Sequence, residues 1–133
     1  CKLFGVKKLK LCDVGFVGEL ERPIEFKRFA KLVNDKLQTK SFVIAGGSKN
    51  AHRIAIVSGG GANYYKHALD AGADTYITGE IRESVVRAIE EEKLNFIGAG
   101  HYNTEKLGIQ NLGKLIAKKF GVTVEWIDIP CEA

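Results

Sequence analysis

The sequence predicts an α/β fold in which one layered sheet, largely parallel or mixed, is covered by helices. Short β-branched segments alternate with helix-like segments from residue 53 onward, and glycines separate many of them. This alternation is typical of β-α-β units. The chain has 133 residues, 45% of them hydrophobic, which is enough for one core. We therefore expect residues 1–133 to form a single α/β unit.

The first fifty residues predict a strand, a helix and a second strand. An apolar stretch, "LKLCDVGFVGEL", is expected to be the first strand. In "RPIEFKRFAKLVNDKLQ" the apolar residues have helical spacing, and Pro23 suits the first turn of that helix. "SFVIAGG" has the β-branched and aromatic composition of a strand ended by glycine, and "SKNAH" predicts a turn.

Three further strands and two helices follow in alternation. The predicted strands are "RIAIVS", "TYIT" and "NFIGAG", and the predicted helices are "YYKHALDA" and "EIRESVVRAIEEEKL". Ile81, Val85, Val86 and Ile89 would share one face of the second helix.

A last helix and a closing strand are predicted near the carboxyl end. The helix lies within "TEKLGIQNLGKLIAKKFG", and its apolar residues are expected to face inward: Leu112, Leu115, Ile116 and Phe120. "VTVEWID" would then close the chain as a strand.

Composition excludes several classes of protein. No apolar stretch approaches the roughly 20 residues that cross a bilayer, so we expect a cytoplasmic protein with no membrane partner. Three cysteines without C-x-x-C spacing argue against a disulfide framework or a zinc ribbon. The net charge of +4 is spread along the chain, so nucleic-acid binding is the weaker interpretation of its lysines. Because the sequence lacks methionine and begins at Cys1, we expect a fragment of a longer protein.

Glycines and polar residues follow each of the three central strands. If these strands are parallel, their carboxyl ends meet at the edge where open α/β sheets bind ligands. Gly59, Gly60 and Gly61 follow the first strand and form either a tight turn or a phosphate site built from backbone amides. The loop is not a dinucleotide fingerprint, because Tyr64 stands where that motif needs glycine. Glu80 follows the second strand, where it would open a helix and stabilise its dipole.

His101 and Glu105 follow the third strand and stand one helical turn apart. An imidazole and a carboxylate at this spacing can offer nitrogen and oxygen to one ion. Two ligands do not complete a metal site. The other two histidines are not expected to add to it, because His52 is predicted in a turn and His67 on an exposed helix face. Spacing alone therefore favours a polar helix start over a metal site.

Four motifs favour a metal site over a polar helix start at His101 and Glu105. "SGGG", "GADTYITGE", "AGHYNTEKLGIQNL" and "VEWIDIP" resemble, in order and spacing, the C-terminal half of the Nif-three-like family, whose members are called GTP cyclohydrolase I type 2 homologues. The resemblance extends over essentially all 133 residues. It implies a Nif-three-like fold, and "HYNTE" is its most specific part.

The resemblance implies a dinuclear metal centre. His101 and Glu105 match two family ligands, with the glutamate linking two divalent ions of zinc, iron, cobalt or manganese. The remaining ligands would come from an N-terminal half absent here, so this piece alone would hold an incomplete site. The intact protein would be a homo-oligomer, a hexamer. A histidine frequent in the family after Glu80 is missing, since residues 84–87 read "SVVR".

Two functions follow as hypotheses. The first is a metal-dependent hydrolase that acts on a nucleotide or a phosphorylated metabolite, with GTP cyclohydrolase chemistry implied by the family name. Gly59, Gly60, Gly61 and Glu80 would then bind the substrate or its phosphate, while the catalytic residues stay unknown. The second is a ring-shaped scaffold that binds nucleic acid or protein and whose metal site is structural.

Overall fold

The structure, a computed structural model, describes residues 1–129 and 131. The strands are β1 Lys7–Cys12, β2 Gly15–Glu25, β3 Phe42–Ala45, β4 Asn50–Val57, β5 Thr75–Thr78 and β6 Asn95–Gly98. The helices are α1 Phe26–Leu37, α2 Tyr65–Asp70, α3 Glu83–Glu91 and α4 His101–Phe120. Short 3₁₀ turns cover Lys2–Phe4 and Ala62–Tyr64.

All six strands join in one mixed sheet with the order β1-β2-β4-β5-β6-β3. The central strands β4, β5 and β6 run parallel, and the pairings of β1, β2 and β3 are antiparallel. Val57 pairs with Thr78, and Thr78 pairs with Gly98, so the three parallel strands end level with one another. The expected α/β fold, with a largely parallel or mixed sheet, is confirmed in its mixed form.

Helices cover both faces of this sheet. One core contains Tyr76 and Phe96 of the central strands together with Ile89 of α3. The other contains Ile77 of β5 packed with Phe29 of α1. Successive strand residues thus belong to opposite cores. Because both faces are covered, β5 and β6 are buried along their whole length, including the polar residues Thr75, Thr78 and Asn95.

The amino-terminal part differs from the prediction in two ways. The segment expected to be one strand is a hairpin of β1 and β2 that turns at Asp13, whose φ is +51°. Pro23 lies in β2, and the helix begins three residues later, at Phe26. The pairing of β2 with β4 shifts between Glu19 and Ile24, and a proline fits such an irregularity because it has no N–H to donate.

Helix α4 contradicts the expected burial of its apolar residues. Its 20 residues include none that is buried, and Leu115 is 60% exposed. The other three residues expected to face inward are exposed as well: Leu112, Ile116 and Phe120. A helix of this length measures about 30 Å, whereas β5 and β6, with four residues each, measure about 13 Å. β5 and β6 are therefore too short to cover the whole length of α4.

The closing segment is also not a strand. Residues 121–129 have no ladder pairing within the described part of the chain, so "VTVEWID" lacks the neighbour that a strand needs. Pro130, the last residue of the "VEWIDIP" motif, lies outside the described residues. Across residues 1–129 and 131, no helix combines the length and apolar character required to span a bilayer.

Phe96 offers a test of the central packing. It is 0% exposed and meets Tyr76 edge to face, so Phe96→Ala leaves a cavity and lowers the free energy of unfolding by about 3–5 kcal/mol. Phe42 on the neighbouring strand β3 is 49% exposed, and we expect Phe42→Ala to cost about 1 kcal/mol or less. Urea denaturation measures both, and equal losses would contradict this assignment of the core.

Candidate metal centre

Backbone hydrogen bonds join the loops that follow the three parallel strands. The amide of Gly79 donates to the carbonyl of Gly59 at 2.9 Å, and the amide of Gly100 donates to the carbonyl of Gly79 at 2.9 Å. These bonds link the end of β4 to the end of β5, and β5 to the residue that precedes α4. The predicted convergence of the three strand ends at one edge is therefore found.

Thr104 fastens the first turn of α4 to the glycine loop. Its Oγ1 accepts the amide N–H of Gly59 at 2.9 Å and lies 2.9 Å from the carbonyl of His101, to which it donates. The sequence contains this threonine within "HYNTE" but gave no reason to assign it a role. Its position is one helical turn beyond Gly100, whose carbonyl accepts the amide of Thr104. Thr104 thus fixes where α4 begins relative to the sheet.

His101 and Glu105 face each other across one turn of α4. Nε2 of His101 lies 3.3 Å from Oε2 of Glu105, and the two side chains are 42% and 54% exposed. Gly59 lies against both groups, with φ at +68°. A Cβ at this position would lie 3.0 Å from Nε2 and would also collide with Glu105. The absence of a side chain at Gly59 therefore leaves the space in front of the two donor atoms open.

Glu80 lies in the loop between β5 and α3, and its carboxylate contacts Nδ1 of His101. The predicted role at a helix start is wrong, because α3 begins at Glu83. Ile81 likewise lies outside that helix. His101 is therefore held between two carboxylates, one at each ring nitrogen.

These carboxylates change the acidity of His101. The hydrogen bond to Glu80 is the largest cause that raises its pKa; partial burial opposes the rise, and the charge of Glu105 adds to it. A raised pKa means that the metal-free imidazole keeps its proton to higher pH. An ion that binds Nε2 must displace that proton, so acid pH disfavours metal at this pair.

The glycine loop makes internal hydrogen bonds with two of its three amides. Gly59 donates to Thr104, and Gly61 donates to Oγ1 of Thr78 at 3.1 Å. Tyr76 donates its hydroxyl to the carbonyl of Gly61 at 2.6 Å. Backbone amides that converge on a phosphate must be free to donate, and these two are engaged. Of the two interpretations of the loop, its geometry favours the tight turn.

The donor set fits part of a metal site. Nitrogen and carboxylate oxygen suit zinc and other first-row divalent ions. Among the residues that the structure describes, however, no group of three or more His, Cys, Asp or Glu side chains is placed to hold an ion. His67 pairs with Asp13 at 2.7 Å beside the β1–β2 turn. His52 lies in β4, not in the predicted turn. His101 and Glu105 therefore offer two ligands of a larger set.

Fold and site together define an α/β protein with a histidine and a glutamate at the carboxyl edge of a partly parallel sheet. The profile of the Duf34/NIF3 (NGG1p interacting factor 3) family matches residues 2–132, and the chain belongs to this family. This confirms the resemblance found in the sequence motifs.

Relatives and solved structures agree with this assignment. The chain is 37% identical to a GTP cyclohydrolase 1 type 2 homolog of Haemophilus influenzae over 134 residues, covering 96% of this chain and 53% of the relative. It is 38% identical to the homolog of Pyrococcus abyssi over 120 residues, covering 88% and 47%. The chain thus spans about half the length of these relatives.

Two solved structures have the same fold. Protein ybgI, described as of unknown function, superposes with a TM-score of 0.92 at 30% identity, covering 99% of this chain and 54% of that one. TTHA1606 from Thermus thermophilus gives a TM-score of 0.83 at 26% identity, covering 99% and 53%.

Gly59 and Gly60 form a matched pair for testing the space in front of His101. Gly59→Ala places a Cβ against His101 and Glu105 at a positive φ, so we expect a loss of about 1–2 kcal/mol in unfolding free energy and shifted His101 imidazole NMR signals. Gly60→Ala places its Cβ 3.6 Å from Glu80 Oε2, an ordinary contact, and both quantities should change little. Similar effects from the two substitutions would refute the proposed role of Gly59.

Proposed function

We propose that the whole protein is a metal-dependent hydrolase with a dinuclear metal centre, and that His101 and Glu105 are two of its ligands. The observation that carries this proposal is the pair of donor atoms 3.3 Å apart on α4, with open space at Gly59 in front of them. Membership of the Duf34/NIF3 family supports it. Zinc, iron, cobalt and manganese all suit nitrogen and oxygen donors.

Residues of this chain would hold and orient the centre. His101 would bind one ion, and Glu105 would link both. Both ligands stand on the first turns of α4, which Thr104 fastens to the sheet edge. When bound, a pair of divalent ions activates water as a nucleophile and stabilises negative charge in the transition state.

The substrate class is a nucleotide or another phosphorylated metabolite. Relatives carry the name GTP cyclohydrolase 1 type 2 homolog, which makes GTP and other nucleotides the first compounds to test. In this proposal Gly59, Gly60 and Gly61 form one wall of the substrate pocket. With the amides of Gly59 and Gly61 engaged, the wall would act mainly through its shape.

The remaining metal ligands would come from polypeptide outside this chain. Two ligands are fewer than the three that a catalytic zinc site takes from its protein, and the relatives are about twice as long as this chain. We therefore expect the 133-residue chain alone to bind divalent ions weakly. A cytoplasmic location stays a prediction.

Metal analysis of the full-length protein tests the hydrolase proposal. We expect about two ions per chain, a content that falls below one in His101→Ala and Glu105→Ala, and nucleotide hydrolysis that a chelator abolishes. His67→Ala is the control, because His67 pairs with Asp13 at the β1–β2 turn. Less than one ion per wild-type chain, unchanged by His101→Ala, would end the proposal.

A second candidate is a ring-shaped scaffold whose metal site is structural. The observation that favours it is an apolar face formed by α4 and the segment after it. This face consists of exposed side chains: Ile109, Leu112, Leu115, Ile116, Phe120, Val124 and Trp126. A groove of about 560 Å³ lies between the helix and residues 124–126. Exposed apolar patches of this kind mark association surfaces.

In the scaffold, the apolar face would be covered by association into a homo-oligomer, which the sequence resemblance implies to be a hexamer. The basic groups of the chain would then face nucleic acid or a protein partner, in a salt-dependent manner. This role requires no turnover, so the absence of hydrolysis across a nucleotide panel would favour it. Metal-dependent product release from any nucleotide would favour the hydrolase.

Leu112 and Lys118 allow the assembly to be tested on one helix. Leu112→Glu introduces a charge into the apolar face, where Leu112 lines the groove, and is expected to dissociate the full-length oligomer, because an unpaired carboxylate is costly to bury. Lys118→Glu, a charge change at an exposed residue outside the groove lining, should leave the assembly intact. Sedimentation velocity gives the mass of each variant. An oligomer unaffected by Leu112→Glu would exclude this surface as the interface.

A further inference from the structure

We infer that Glu80 is a positioning residue, which fixes His101 in the tautomer that presents the Nε2 lone pair to a metal ion. The inference rests on the proposed role of His101 as a ligand. It assigns Glu80 a different task from the substrate or phosphate contact expected from the sequence.

The positions of the two carboxylates around the His101 imidazole suggest this positioning role for Glu80. Glu80 contacts Nδ1 from the loop after β5, while Glu105 lies 3.3 Å from Nε2 on the same helix as His101. The two carboxylates therefore compete for the single proton of a neutral imidazole. The nitrogen that keeps the proton cannot bind an ion, and the other one can.

Backbone packing holds Glu80 beside Nδ1. Gly79 precedes it, and a Cβ on Gly79 would lie 2.7 Å from Cα of His101 and 2.8 Å from Oγ1 of Thr104. Only a glycine lets the end of β5 approach the first turn of α4 so closely. The hydrogen bond from the Gly100 amide to the Gly79 carbonyl fixes the distance between the two segments. The "TGE" sequence at residues 78–80 thus places the carboxylate at the ring.

The contact between Glu80 and Nδ1 matches the usual chemistry of histidines that bind metal ions. Such a histidine commonly donates its second ring N–H to a carboxylate, which sets the tautomer and raises the basicity of the ligating nitrogen. With the proton on Nδ1, the Nε2 lone pair points toward Glu105, the other proposed ligand. Without Glu80, Glu105 is the nearest acceptor and draws the proton to Nε2, where it blocks the ion.

Two alternatives for Glu80 fit less well. A carboxylate repels the phosphate of a substrate, so Glu80 is poorly suited to bind one. Direct ligation of the same ion is disfavoured as well, because Glu80 contacts Nδ1 of His101, whereas the proposed ligand Glu105 lies beside Nε2. Its contact with Nδ1 instead fits a role in orienting His101.

NMR of the metal-free, full-length protein tests the inference, at a pH at which His101 is neutral. The ¹⁵N shifts of the ring report which nitrogen carries the proton. We expect Nδ1–H in the wild type, in Glu80→Gln, whose amide oxygen still accepts, and in the control Glu105→Ala. In Glu80→Ala we expect a change to Nε2–H.

A second measurement follows zinc affinity. Glu80→Ala should weaken zinc binding by the full-length protein about 10–100-fold, the loss typical when the partner of a ligating histidine is removed. Glu80→Gln should restore most of that loss. If Glu80 had only a structural role, the recovery of zinc affinity in Glu80→Gln would not be expected to accompany recovery of the Nδ1–H tautomer.

The outcomes separate this inference from the proposed function. An Nε2–H tautomer in the wild type overturns the inference even if Glu80→Ala does not fold, and an unchanged tautomer in a folded Glu80→Ala overturns it too. If His101→Ala removes metal while Glu80→Ala leaves the tautomer unchanged, the metal centre stands and the inference fails. If the tautomer changes but His101→Ala retains all metal, the proposed function fails instead.

Discussion

Hydrogen bonds among the three parallel strand ends are the constraint on which the candidate centre depends. Gly59 accepts from the amide of Gly79 and donates to Thr104, and Gly100 donates to Gly79. This chain of bonds fastens the first turn of α4 to the sheet edge, so the imidazole and carboxylates of His101, Glu105 and Glu80 meet there. Gly59 and Gly79 permit this close approach, since a Cβ on either would collide with the first turns of α4.

Much of the central fold could be predicted from the sequence, because short strands such as β5 and β6 alternate with segments of helical spacing. The predictions that were wrong share one physical cause, which is that local sequence does not show what a segment packs against. Periodicity shows which side of α4 is apolar but not what covers it, and "VTVEWID" has strand character but no neighbour among residues 1–129 and 131. Ile24 and Glu25 pair with β4, so the strand continues past Pro23 and the helix begins only at Phe26.

The candidate site was predictable where its residues are neighbours along the chain. The spacing of His101 and Glu105 identified a donor pair, although it took the family resemblance to favour metal over a polar helix start. Glu80 is 21 residues from His101, and its contact with Nδ1 follows from the pairing of β5 with β6. Local spacing contains no information about such a contact, which is why the sequence suggested a helix-dipole role for Glu80.

The central claim is that α4 supplies two ligands to a bimetallic centre completed by other polypeptide. Anomalous scattering from crystals of the full-length protein, grown with zinc, tests it directly. The claim predicts two peaks close together. Both peaks lie beside the carboxylate of Glu105, and one of them also lies beside Nε2 of His101. Crystals in which these two side chains contact only water and Glu80, with no anomalous peak beside them, would contradict it.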